Sequence, residues 1–284
     1  MKISVIIPFY KGNEYLTRLL DSIECVSRNS DVCYEVIIVN DSPEEKVNIM
    51  KSNVDVIVIN NDQNLGIQGA RVNGIKNSTG DWILMLDHDD ELVVEGFKKQ
   101  IELTENADVV VGNGTYILGK VNKKIFDNQK CMEFLIQKKR FIEIRNLIPS
   151  PGECLIRKEC IPPIWMENRL KKNGADDWML WLLLFYSNAR FKCNELSVYI
   201  HNDAGGANLS ANLDKMRESS LEMAQILYTK GTLSDCDFNR LVNAINFKFL
   251  QDTKQLSIRS MWKHRRALFS NIKYRAKLNY LRYR

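Results

Sequence analysis

Five short, almost uninterrupted apolar runs punctuate the first 111 positions of this chain: Ile3–Pro8, Tyr34–Val39, Val54–Ile59, Trp82–Leu86 and Ala107–Val111. A strand that is apolar at nearly every position has no face to turn to water, so both sides of its sheet must be covered. The intervening segments supply the cover. Asn13 precedes Leu16, Leu19, Leu20, Ile23 and Val26 at spacings of three and four, which predicts a helix with Asn13 as its cap. Pro43 suits the first turn of a helix after the second run. A turn at Asn60–Gly66 leads into a helix to about Lys76, and Leu92–Thr104 reads as another. Alternating β and α units of this kind predict an α/β fold with a mainly parallel central sheet flanked by helices. Ligands of such sheets gather at the carboxyl ends of the strands.

The fourth run ends abruptly in acids: Asp87, Asp89 and Asp90 surround His88, with Glu91 behind. A buried strand carries Ile83 to Leu86 at little cost, but adjacent carboxylates at its end need something positive to meet them. Hard oxygen ligands of this sort suit Mg²⁺ or Mn²⁺ and the phosphates that share its shell. The plainer reading is a solvated strand exit. Tyr10, Asp41 and Asp87–Asp89 all fall at predicted strand ends, and that convergence weighs more than any one of them. Taken singly, each has a bland alternative. Tyr10, after Pro8, stacks on a planar base or merely forms a turn. Asp41 accepts from a base or ribose, or caps the helix expected at Pro43. Arg71, in a helix rich in small residues, contacts a base or diphosphate, or forms a surface ion pair. No GxGxxG follows the first strand, which disfavours a dinucleotide fold.

The second half is broken by Pro149, Pro151, Pro162 and Pro163. Asp176–Phe185 reads as a mostly buried helix with two acids at its start. The helix dipole favours one of them there; two together could instead supply a general base. Phe191–Ile200 reads as extended and ends at His201, ahead of a Gly-rich loop, Asn202–Ser210, suited to closing over phosphate. Helices are expected near 213–229 and 235–251. The seven cysteines are odd in number, scattered and without a CxxC pair, so neither a disulfide framework nor a zinc site is suggested. A reducing cytoplasm fits this pattern. No run approaches the ~18 consecutive apolar residues of a membrane span, and the N-terminus reads as a first strand rather than a signal peptide. The net charge of +5 hides an asymmetry: from Thr253 to Arg284 there are ten Lys or Arg and no acid, against 30 basic and 35 acidic residues in the rest. Within that tail Ile258, Met261, Trp262, Leu268, Phe269, Ile272, Ala276, Tyr280 and Tyr283 recur at roughly helical spacing. Such a segment either docks on an anionic membrane surface or packs on the slightly acidic body. No fold motif supports nucleic-acid binding.

In order and spacing, these pieces resemble the inverting family-2 glycosyltransferases with a GT-A fold. The resemblance is carried by Val5–Tyr10, Val36–Ser42, Asn64-Leu65-Gly66 with Ala70-Arg71 and Asn73-Gly74, Gly80–Asp90, Gly152–Glu159, Asp176-Asp177-Trp178, and His201 with Asn208 and Ser210. It covers about residues 1–210 and is most specific in the first half. It implies a transferase domain over 1–212, with a nucleotide-binding half at 1–111 and an acceptor half at 112–212. A helical C-terminal extension with a basic tail follows over 213–284. It further implies that Pro8, Tyr10, Asp41, Arg71 and Asp87 line the nucleotide pocket, that Asp87-His88-Asp89 is the DxD motif, and that Asp87, Asp89 and His201 hold a divalent metal. Asp177 would be the general base. Two departures bear on these roles: Asp176 replaces the usual Glu, so either acid could be the base, and Tyr199 stands where many members carry Arg.

The implied activity is metal-dependent transfer, hexosyltransferase in type, from a nucleotide-diphosphate sugar, a UDP-sugar by expectation. The acceptor is a saccharide or lipid-linked, in bacterial surface polysaccharide synthesis. The expected location is the cytoplasm or the inner face of the plasma membrane. A sugar-phosphate nucleotidyltransferase shares a similar sheet but needs a Gly-rich, Arg-containing signature that Pro8–Gly12 does not offer. A non-catalytic sugar-nucleotide-binding module of the same fold would not need the acids at 87, 89 and 177.

Overall fold

The computed structural model describes residues 1–49, 52–118, 121–202 and 212–282. Asn208, Ser210, most of the Gly-rich loop and Tyr283 lie outside the described residues. The chain forms two compact units, each assembled from separate stretches: 1–126, 150–161 and 189–205 make the first, and 127–149, 162–188 and 206–284 the second.

The first unit is a nine-stranded sheet with helices. In chain order it contains β1 (Lys2–Phe9), α1 (Asn13–Arg28), β2 (Cys33–Asn40), β3 (Val56–Asn60), α2 (Gly66–Asn77), β4 (Trp82–Met85), β5 (Glu91–Leu92), α3 (Val94–Glu102), β6 (Val109–Leu118), β7 (Val121–Lys124), β8 (Cys154–Arg157) and β9 (Phe191–Asn202). The strand order is β3-β2-β1-β4-β8-β6-β9-β5, with β7 paired to β6. The first four strands run parallel, β6 runs parallel to β9, and β8 lies antiparallel between β4 and β6. The apolar runs do what their composition demands. Ile3, Val5, Ile7 and Phe9 pack with Leu16, Leu19, Leu20, Ile23 and Val26 of α1 in one core, joined by Phe97 of α3. Burying each such side chain stabilises the fold by roughly 1.5–3 kcal/mol. Pro8 pairs with Val39 but lies beyond the last β1–β4 pair, Ile6 with Met85, so its missing N–H falls past the end of that ladder.

Two local expectations are corrected. No helix follows Pro43; residues 43–45 form a turn. Asn13 does not cap α1. Its side chain instead donates to Glu45 Oε1 (2.7 Å) and the Lys46 carbonyl (2.9 Å) and accepts from Asn48 N (2.8 Å), tying down the segment after β2.

The second unit is helical: α4 (Gln129–Leu135), α5 (Lys138–Glu143), α6 (Pro163–Glu167), α7 (Asp176–Tyr186), α8 (Leu213–Thr229), α9 (Asp235–Asp252), α10 (Ile258–Lys263) and α11 (Arg265–Arg282). Helix α7 buries Trp178 through Leu184 without interruption, the mark of a helix enclosed on all sides. It packs against α5, α6 and α8. No described helix is long and apolar enough to cross a membrane.

Candidate active site

Strands β1, β2 and β4 end on the same edge of the parallel sheet, and their successors carry the expected residues there. Tyr10 follows β1 and is 48% exposed, with the Lys11 ammonium 5.3 Å from its ring centre. Asp41 follows β2 and is buried; its Oδ1 accepts from Asn61 Nδ2 (2.8 Å) and from Leu65 N (2.7 Å). The reading of Asp41 as a helix cap is therefore excluded, because no helix begins there. Helix α2 ties the two sides of this edge together. Asn73 Nδ2 donates to Asn61 Oδ1 (2.6 Å), and Asn61 holds Asp41. Two residues earlier on α2, Arg71 reaches Asp87 Oδ1 with Nη2 at 2.7 Å. Arg71 is buried and Asp87 partly exposed, so the pair is half-buried rather than the surface contact that the sequence also allowed.

Beyond β4, Asp87, His88 and Asp89 are partly exposed and Asp90 is buried. His88 fills the space beside Gly12: a Cβ at that glycine would lie 2.2 Å from His88 Cδ2. Its ring also neighbours Phe9 and Tyr15. Arg18 of α1 donates to the Asp89 carbonyl at 3.1 Å. Asp90 is where sequence reasoning fell short. Its Oδ1 lies 2.8 Å from Nδ1 of His201 in β9, and its Oδ2 has no hydrogen-bond partner. Burial raises the Asp90 carboxyl above the ordinary carboxylate range. The hydrogen bond from His201 opposes that rise, and the negative charges of Asp87 and Asp89 add to it. His201 is raised above the ordinary imidazole range, first by its bond to Asp90, against the opposing effect of burial. Tyr116 holds the ring edge-on at 5.0 Å. Strand β9 thus delivers His201 to the acids, as expected, but to Asp90 rather than to Asp87 or Asp89.

Tyr199 is fully buried, its hydroxyl 3.4 Å from Oε1 of buried Glu153, so it is a core residue and does not substitute for a phosphate-binding arginine. Glu153 also closes a capping box with Ser150. The partner of Asp90 and the Asn61–Asn73 link left no local signal in the sequence, because each is made by chain segments far apart.

The acids at 176 and 177 belong to the second unit. Asp176 is buried, and its carbonyl accepts from Trp165 Nε1 at 2.7 Å. Asp177 is partly exposed; its Oδ2 accepts from Asn146 Nδ2 (2.8 Å) and its Oδ1 from Trp178 N (2.7 Å).

Among the described residues, no three His, Cys, Asp or Glu side chains form a group set to hold a metal ion. The donor chemistry nevertheless fits one. Asp87 and Asp89 offer hard oxygens, and Asp90 keeps a buried oxygen without a partner, a costly arrangement unless a cation offsets the negative charge nearby.

A mixed sheet whose parallel half gathers acids, a buried arginine and an exposed tyrosine at one edge has the α/β architecture of the GT-A fold. The family model described as Glycosyl transferase family 2 matches residues 4–161, and the chain belongs to that family of glycosyltransferases. It is 27% identical over 264 residues to an uncharacterized glycosyltransferase, YwdF, of Bacillus subtilis, spanning 87% of this chain and 92% of that protein. It is 30% identical over 171 residues to a dolichol-phosphate mannosyltransferase of Pyrococcus furiosus, spanning 57% of this chain but 47% of that protein. Among solved structures, S. aureus TarS 1-349 in complex with UDP-GlcNAc superposes with a TM-score of 0.62 at 17% identity, covering 96% of this chain and 81% of that one. That likeness is one of fold.

Proposed function

We propose that this glycosyltransferase moves a sugar from a UDP-sugar to a saccharide or lipid-linked acceptor, with inversion at the anomeric carbon, in bacterial surface polysaccharide synthesis. One observation carries the reading: α2 joins Asp41 and Asp87, two strand ends apart, through Asn73–Asn61 and through Arg71. A base or ribose contact and a diphosphate contact are thereby held in fixed relation. The UDP-GlcNAc complex of TarS supports the donor class, and the dolichol-phosphate mannosyltransferase among the relatives supports a lipid-linked acceptor.

In this reading residues 1–212 carry the transferase. Tyr10 stacks on the base, Asp41 accepts from base or ribose, Arg71 contacts base or diphosphate, and Asp87, paired with Arg71, faces ribose and metal; Pro8 shapes the floor beneath them. Asp87, Asp89 and the remaining nitrogen of His201, Nε2, would hold a divalent cation, with Asp90 orienting the imidazole. When bound, such a cation offsets the charge of the departing nucleotide diphosphate. Asp177, the more exposed of its pair, takes the proton of the acceptor hydroxyl as that oxygen attacks the face opposite the leaving group. One displacement of this kind inverts the configuration and needs no enzyme nucleophile. The C-terminal segment, 253–284, contacts a membrane.

A thermal-shift panel of nucleoside diphosphates with and without Mn²⁺ or Mg²⁺ tests the donor class. UDP should stabilise the protein more than the other nucleotides, and more with metal. Asp89→Ala should abolish the metal-dependent part while the fold persists. Stabilisation by UDP that is equal in variant and parent, with and without metal, refutes the role of Asp89.

A further inference from the structure

The basic tail is not a single apolar stripe. Its packed face is set by His264, Ala267 and Tyr274, which are buried, and α11 lies against α4, α5 and α9. Tyr274 stacks on Phe134 with ring centres 6.3 Å apart, and Ser270 donates to Glu143 at 3.1 Å. With about 3.6 residues per turn, Phe269, Ile272, Ala276 and Tyr280 fall on the opposite side of α11. Phe269 is 59% and Ile272 54% exposed, and on α10 Trp262 is 69% and Ile258 75% exposed. The helix therefore carries apolar residues on both faces, and packing within the unit uses one of them. Around the outer stripe stand Lys263, Arg265, Arg266, Lys273, Arg275 and Lys277, all exposed. None of these six makes an ion pair among the described residues; Arg282 alone of the helix does so, with Asp127.

We propose that the outer face of α10 and α11 docks on an anionic phospholipid bilayer. Trp262, Phe269 and Ile272 enter the boundary between headgroups and acyl chains, while Arg266, Lys273 and Lys277 meet lipid phosphates. An exposed run of large apolar side chains bordered by uncompensated cations is what an interfacial helix requires. A nucleic acid would satisfy the cations and leave Phe269, Ile272 and Ile258 in water. A second copy of the chain would bring two faces of like charge together. The proposal extends the membrane contact given above to named side chains. It is measured without any transfer reaction, so loss of docking and loss of transferase function are told apart.

The test is co-sedimentation of the full chain with vesicles of phosphatidylcholine alone, and of equal parts phosphatidylcholine and phosphatidylglycerol, with Trp262 emission read in parallel. The other four tryptophans, 82, 165, 178 and 181, are buried, so a blue shift reports on Trp262. Binding and a blue shift are expected with the anionic vesicles and not with the neutral ones, and raised salt should weaken binding. Phe269→Ser/Ile272→Ser should lower vesicle binding about tenfold or more. Arg266→Glu/Lys273→Glu should abolish the preference for anionic lipid. Because all four side chains are exposed, both variants should keep the parent melting temperature. No binding to anionic vesicles, binding unchanged by either variant, or a serine variant that instead dissolves a dimer or only weakens nucleic-acid binding would overturn the proposal.

Discussion

His201 Nδ1 and Asp90 Oδ1 stand 2.8 Å apart across 111 positions of sequence, and the Asp90 carboxylate is the buried member of the pair. Asp90→Asn removes the charge that orients the imidazole. The expected outcome is a 10- to 100-fold weaker apparent affinity for Mn²⁺, about the range for loss of such an orienting carboxylate. A manganese titration of UDP-dependent thermal stabilisation checks it. An unchanged midpoint would show that Asp90 does not act through His201.

Asp177→Asn should lower the rate of transfer by about 10²- to 10⁴-fold, the usual contribution of a general base. Donor binding should hold, since the substitution touches Asn146 and the α7 terminus. Asp176→Asn should act mainly on stability, because Asp176 is buried at the start of α7. Turnover and UDP affinity measured side by side on both variants separate the two acids. If Asp176→Asn alone loses turnover with its melting temperature intact, the roles are exchanged.

Glu35 governs an acid-sensitive joint at the opposite end of the sheet from the candidate site. Its carboxylate accepts from Lys2 Nζ (2.7 Å), Ser4 Oγ (2.6 Å), Thr79 N (2.6 Å) and Thr79 Oγ1 (2.8 Å). Burial alone would raise its pKa, but the bonds from Lys2, Ser4 and Thr79 outweigh that and hold it near 2. A depressed carboxylate stabilises the fold above its unfolded pKa, and that stability is lost as pH falls through the folded value. The depression corresponds to about 3 kcal/mol. Glu35→Gln should therefore be destabilised at pH 7 and should lose part of the parent's decline in stability between about pH 5 and pH 2. Urea midpoints across that range are the measurement. Parallel curves for variant and parent would exclude the joint as a source of acid sensitivity.

Gly96 is set by close approach. A Cβ at this position of α3 would lie 1.8 Å from the carbonyl oxygen of Ser197 in β9, and that neighbour is backbone. Asn194 Nδ2 donates to the Gly96 carbonyl at 2.9 Å, fixing the helix where it is. Gly96→Ala should cost about 2–3 kcal/mol through forced separation of helix and strand, although alanine is the better helix former. A melting temperature equal to or above the parent's would show that α3 can shift without loss.

The first four parallel strands were legible because each is an apolar run of the right length, and α1 because it keeps one apolar face; the helix expected after β2 does not form. The gathering of Tyr10, Asp41, Asp87 and Asp89 at one sheet edge was legible from their positions at strand ends, while Arg71 and His201 were singled out through the family pattern. What was not legible depends on distant partners. Asn13 reads locally as a cap, yet it serves the segment at 45–48, because Glu45, Lys46 and Asn48 together offer its amide more bonds than the helix end does. Asp90 reads as one more solvated acid until β9 brings His201 to it. Tyr199 reads as a replaced arginine, and its burial against Glu153 follows from β8 and β9 joining one sheet. The strand β8, set between Pro151 and Pro162, and the short helices α4 to α6 are pieces too brief for periodicity to declare them. The two faces of α11 merge in a one-dimensional pattern, since a stripe on each side averages to no stripe at all.

Strand β9 comes from residues 191–202, after helices α4 to α7 of the helical unit, and it runs beside β6 from Val109 to Ile117. A fragment cut at the end of the matched family region, residue 161, would leave that long flank of β6 as a raw margin with its backbone amides unanswered, and would discard His201 with it. During synthesis the same margin stays open until some forty further residues have emerged, so the first unit closes late, on a strand its own N-terminal half cannot supply.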